Sequence, residues 1–119
     1  MNKSIAKKWV KELRSGRYEQ GVYRLVDNKD NFCCLGVLCN LAIDEGIGKW
    51  VKGSSGWAFR TAADIDDQIL PLEVRKWAGM YSSSGMLNDG TLECLTDLND
   101  AGKSFKQLAD IIENNVERL

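Results

Sequence analysis

The sequence predicts an α+β fold over residues 1–119: a mainly helical single domain with a small antiparallel β-hairpin sheet, a buried central helix and a C-terminal helical pair. Three observations carry that expectation. The run from Phe32 to Ile43 is apolar around most of its helical circumference, which places a helix at the centre of a domain. Ser104 followed by Gln107 has the capping-box form and opens a stripe of Phe105, Leu108, Ala109, Ile112, Val116 and Leu119. Before and between these two runs, short β-branched and aromatic stretches bounded by Gly, Asn and Asp read as hairpins. A chain of 119 residues buries one core and little more, and its 44% apolar and 28% charged content is that of an ordered globular protein.

The elements follow in order. A first helix of about ten to twelve residues sets Ile5, Trp9, Val10 and Leu13 on one side and Lys3, Lys7, Lys8, Lys11 and Arg14 on the other, ending at Ser15-Gly16. Val22–Val26 (VYRLV) reads as a strand, and DNKDN as the turn that returns it to Asn31-Phe32-Cys33. On a helical wheel Cys34, Val37, Leu38 and Leu41 share one face of the central helix, Leu35, Cys39 and Ala42 widen it, and Gly46 offers a left-handed stop. Residues 47–60 place aromatics on both sides of Gly-Ser-Ser-Gly and form either a second hairpin or a glycine-tipped loop over a ligand. Pro71 starts a short helix closed by Gly79. Tyr81–Gly85 is a serine-rich loop, and Asn88-Asp89-Gly90 a tight turn. A helix over roughly residues 92–100 joins the last one through Ala101-Gly102-Lys103.

Charge is unevenly laid out. Residues 1–24 hold seven Lys/Arg against two acids, and residues 61–119 hold five against eleven, so the ends are +5 and −6 around a total of −1. The plainer reading is mutual attraction of the two ends within the fold or across an oligomer; the other is an anionic partner at the amino end. The acidic second half and the lack of a nucleic-acid motif argue against nucleic acid. No apolar run approaches the roughly 20 residues of a membrane helix, and the first residues lack a secretory leader, so a cytoplasmic protein is expected.

The chemistry-bearing residues are few. Cys33, Cys34, Cys39 and Cys94 have no CxxC spacing and the chain has no histidine, which disfavours zinc and removes the usual general base of Ser/His/Asp and Cys/His catalysis. Adjacent Cys33 and Cys34 diverge in a helix or a strand, so the cysteines read as small core residues, with Cys33 nearest the edge. Asp64, Asp66 and Asp67 lack the glycine and distal glutamate of a calcium loop and are assigned a structural role. No cofactor and no metal is expected.

Four stretches taken together, RSGRYEQGVYRL, FCCLGVLCNLA, LPLEVRKWAG and LTDLNDAGKSFKQLADIIE, resemble a group of small proteins of tailed bacteriophages and prophages. The resemblance spans nearly the whole chain and carries over no catalytic residues. It implies an accessory protein acting by binding in the cytosol of an infected bacterium. The leading expectation is a noncatalytic, homo-oligomeric sponge that counters host immunity by sequestering a nucleotide-derived signal. Seven residues are the ligand-binding candidates, because rings stack on bases and cations meet phosphates: Arg17, Tyr18, Gln20 and Arg24 at the first hairpin, Trp57 on the glycine-tipped loop, and Asn99 and Lys103 at the helix corner. Each has a plainer reading as half-buried packing, backbone capping or solvated charge. The alternatives are a protein-interaction inhibitor of a host protein and a small metal-dependent hydrolase.

Overall fold

The computed structural model describes residues 1–119 as α1 (Lys3–Arg14), β1 (Val26–Asp27), α2 (Cys34–Ile43), β2 (Gly48–Lys52), β3 (Gly56–Thr61), β4 (Ile65–Asp66), α3 (Leu72–Ala78), α4 (Leu95–Asp100) and α5 (Phe105–Asn114), with a 3-10 turn at Val116–Arg118. This is a mainly helical α+β domain with one small antiparallel sheet. Its helices bury one continuous core with α2 at the centre. Cys34, Leu35, Val37, Leu38, Cys39 and Ala42 are wholly enclosed, as a helix apolar on nearly every side requires.

Two contacts fix α2. The indole of Trp9, itself fully buried on α1, donates to the carbonyl of Cys34 at 2.9 Å. Gly36 lies against the preceding segment so closely that a Cβ would stand 2.1 Å from the Leu25 carbonyl oxygen, and only glycine permits that approach. Cys33 sits at the N-cap, where its sulfur accepts from the Gly36 N–H at 3.4 Å. It is therefore at the edge of the helix, as expected, though still buried.

α1 packs on α5, whose N-terminus has the capping box formed by Ser104 and Gln107. Arg14 reaches from α1 to Asp110 and Glu113 of α5 at 2.7 and 3.0 Å, so the basic and acidic ends of the chain do meet within the fold. The hydrogen bonds Arg14 donates to Glu113 and Asp110 raise the guanidinium's pKa, but these ion pairs are exposed and contribute little to stability. No helix is long and apolar enough to cross a membrane.

The sheet is where expectation and structure part. Residues 47–60 resolve into a hairpin: β2 and β3 pair in the register Trp50 with Phe59 and Lys52 with Trp57, closed by the Gly53 N–H to Gly56 carbonyl bond at 2.7 Å. Val22–Val26, by contrast, is not a strand beyond its last residue. Tyr23 takes the left-handed φ of 69°, its N–H held by Asp100 at 2.9 Å, and Leu25 N–H goes to Asp67. Tertiary hydrogen bonds outweigh the β propensity of VYRLV. The return from DNKDN survives as a single Val26 to Phe32 bridge, while β1 pairs with β3. Leu92–Cys94 also lies outside the helix expected there, since α4 begins at Leu95.

The three aspartates are each occupied. Asp64 accepts from Thr61 and from Leu72 N–H, Asp66 from Gln68 and Ile69 N–H, and Asp67 pairs with Arg24. Backbone capping and one ion pair account for all of them, a structural role as expected.

Candidate functional site

Two of the expected ligand-binding residues, Gln20 and Asn99, are engaged in holding the fold together. Gln20 donates to Asn99 Oδ1 at 3.0 Å and to the Lys103 carbonyl at 2.7 Å, and its own Oε1 accepts from Phe105 N–H at 3.1 Å. Asn99 is fully buried, donates to the Gly21 carbonyl at 2.9 Å and accepts from Cys34 N–H at 3.2 Å. A buried amide with both ends satisfied by backbone is a structural tie. Lys103 enters the helix corner through its backbone, its carbonyl accepting from Gln20 and its N–H donating to the Leu98 carbonyl at 3.0 Å. Arg17 is likewise engaged close to home, paired with Glu12 of α1.

The remaining candidates gather elsewhere. Turning the β2–β3 hairpin puts Trp50, Lys52, Trp57 and Phe59 on one face, because paired and alternate strand residues share a side. Phe59 goes into the core, and towards the hairpin tip that face opens into a cleft of about 190 Å3 lined by Val26, Asp30, Phe32, Asn40, Trp50 and Trp57. Phe32 and Trp50 meet edge to face, with centroids 5.9 Å apart and planes at 89°. Tyr18 stands behind Phe32 at 4.9 Å. The Lys52 ammonium lies 5.1 Å from the centre of the Trp57 ring, a cation–π contact beside the cleft.

Polar groups hold these rings in place. Trp50 Nε1 donates to Asn40 Oδ1 at 3.1 Å, and Asn40 Nδ2 donates to the Tyr18 hydroxyl at 3.0 Å. Trp57 Nε1 donates to Asp30 Oδ1 at 3.0 Å. Asp30 has φ 61° and is presented by a turn that Asp27 clamps, accepting from Lys29 N–H at 2.9 Å and Asn31 N–H at 3.0 Å. Partial burial works to raise the Asp27 pKa, but the bonds from Asn31 and Lys29 outweigh it and leave that carboxyl below its usual range. The turn therefore keeps its clamp charged wherever ordinary carboxylates are charged.

Arg24 is on the other side of Trp57, half-buried and bonded to Asp67 at 3.2 Å, in a second hollow of about 180 Å3 shared with the Gly53–Gly56 turn. Gly56 has φ 146°, and a Cβ there would stand 2.4 Å from the Val26 carbonyl oxygen, so the tip folds tightly over β1. A larger hollow of about 670 Å3 follows α1, but it is an open valley walled by Lys7, Lys8, Lys11 and Arg14 with Val10 its one apolar residue. The lining of the cleft is mainly apolar and aromatic, as small-molecule sites are, and that of the valley is mainly charged.

With this geometry in view, the chain can be compared with known proteins. The model of a family described as a domain of unknown function, DUF8296, matches residues 1–116. The chain belongs to that family. No curated protein and no solved structure matches it.

Of the seven candidates, Trp57 lines the cleft, Tyr18 braces it and Arg24 flanks it. Gln20, Asn99, Lys103 and Arg17 lie outside it. Phe32, Trp50, Asn40 and Asp30 escaped the sequence reading, although hairpin alternation was available as a signal: a turn at Gly53–Gly56 puts Trp50 beside Phe59 and Lys52 beside Trp57. The three thiols at and within α2 are remote from nucleophilic chemistry. Burial pushes Cys33 up to about 11 and Cys34 and Cys39 well above the ordinary thiol value, so the thiolate needed for attack is suppressed.

Proposed function

We propose that this protein is a noncatalytic binding protein that holds a small nucleotide-like ligand by its base in the cleft of Phe32, Trp50 and Trp57. The observation that carries the reading is the cleft itself, in which an aromatic wall meets the side chains of Asp30 and Asn40. Ring faces favour a flat π-system, and a few placed polar groups give it orientation. At about 190 Å3 the space suits one ring system, with the sugar and phosphates outside near Lys52. A second subunit closing over the exposed part fits this arrangement, and a homo-oligomer belongs to the proposal. The phage resemblance supplies a setting: sequestration of a nucleotide-derived immune signal in the cytosol of an infected bacterium.

The test is incubation of the purified protein with extract containing such signals, followed by gel filtration and heating. A base-containing molecule released intact supports the proposal. Release of altered nucleotide only would assign an enzyme instead. Native mass spectrometry on the same sample reads the bound mass and the subunit number together.

A second reading has its own observation. Val22 and Tyr23 are exposed side by side, Tyr23 at 69% and with a left-handed φ of 69°. Non-glycine residues in that conformation carry strain that surrounding structure must offset, and exposed Tyr is a common anchor in protein interfaces. A host protein retained with no small molecule, and lost in Tyr23→Ala, would favour the interaction inhibitor.

A further inference from the structure

Resting on the base-binding reading above, we infer that the cleft selects a base with two adjacent N–H donors on one edge, the guanine type, over adenine-type bases. The inference follows from which hydrogen-bonding capacity the cleft has already used. Its indole donors are committed, Trp57 Nε1 to Asp30 Oδ1 and Trp50 Nε1 to Asn40 Oδ1. Asn40 Nδ2 spends one hydrogen on the Tyr18 hydroxyl. Asp30 is exposed at the mouth of the cleft, where its second carboxylate oxygen has no partner in the protein and Oδ1 keeps a lone pair beyond the one Trp57 takes. What the cleft offers a ligand at that end is thus a double acceptor.

A carboxylate of this kind is complementary to an edge that presents two neighbouring donors. Guanine has one, its ring N1–H beside the exocyclic N2 amine, and the pair forms parallel charge-assisted bonds. Adenine sets its amine beside an unprotonated ring nitrogen, and cytosine does the same, so each would bring a lone pair against a carboxylate oxygen. Uracil flanks its one N–H with carbonyls. Only the guanine edge leaves no repulsive contact. Asp30 is well suited to the role because its position is set twice, by the Trp57 bond and by the Asp27 clamp on its turn.

Tryptophan fluorescence titrations with GMP, IMP, AMP and CMP test this, using the wild-type protein and Asp30→Asn. The asparagine keeps an oxygen for Trp57 and replaces the second acceptor with a donor. GMP is expected to quench saturably and bind about tenfold or more tightly than AMP or CMP, the discrimination a good bidentate pair supplies. IMP, which lacks the N2 amine, should fall between, and Asp30→Asn should abolish the GMP preference while retaining quenching. Equal affinities for GMP and AMP would overturn the donor-edge inference and leave base binding standing. Quenching by tetramethylammonium with none by any nucleotide would overturn both, assigning the aromatic walls to a cation.

Discussion

Two polar clusters in this molecule use similar side chains to opposite ends. At the helix corner, Gln20 and Asn99 are surrounded by backbone, and their amides tie residues 20–21, the start of α2 and the α4–α5 connection together. At the cleft, Asn40 and Asp30 hold two tryptophans by their indole N–H groups, Asn40 also donates to the Tyr18 hydroxyl, and acceptor capacity is left over. Residue type does not distinguish the clusters. What does is whether each donor and acceptor is answered from within, because a fully answered buried group has nothing to offer a ligand, and a partly answered one at a mouth does.

The contrast can be tested from its strongest consequence down. Asn99→Leu orphans the Cys34 N–H and the Gly21 carbonyl in a dry interior, and urea denaturation should show a loss of about 4 kcal/mol. Raising the pH probes the interior by another route. The Cys33 thiol is held up to about 11 by burial against an ordinary 9.0, so the unfolded chain ionises first. Stability from this group is full below pH 9 and is lost as pH rises through 11, by about 3 kcal/mol, with Cys34 and Cys39 acting in the same direction. Denaturation midpoints across that range check it, and a flat profile would contradict it. Gln20→Ala removes bonds at a half-buried site and is expected to cost about 2 kcal/mol in the same assay. Asp30→Asn, at the cleft, should move stability by no more than about 0.5 kcal/mol while altering ligand preference. Were Asp30→Asn as damaging as Asn99→Leu, the distinction between tie and recognition group would fail.

The helices were legible because each carries its own instructions. α1 and α5 alternate apolar and charged faces, Ser104 and Gln107 announce a start, and the cysteine-rich α2 is too apolar to lie anywhere but inside. What the sequence left undecided or wrong depends on partners far along the chain. Tyr23 turns left-handed because Asp100, 77 positions along the chain, takes its N–H, and no local pattern around VYRLV records that. The candidate site was half legible for the same reason. Trp57 stood out on its glycine-flanked turn, but the cleft needs Asp30 and Phe32 from one return of the chain, Asn40 from α2 and Trp50 from the facing strand. Gln20 and Asn99 looked available because a sequence lists functional groups without saying which are already engaged.

The sealed thiols around α2 give the protein a built-in clock. A sulfhydryl reagent cannot modify Cys34 or Cys39 while the helix is enclosed, so every labelling event counts a moment when the chain has come apart far enough to admit it. A ligand gripped at the aromatic mouth would slow that clock without touching a sulfur, and the slowing, read against ligand concentration, would measure its affinity with no probe attached to the site.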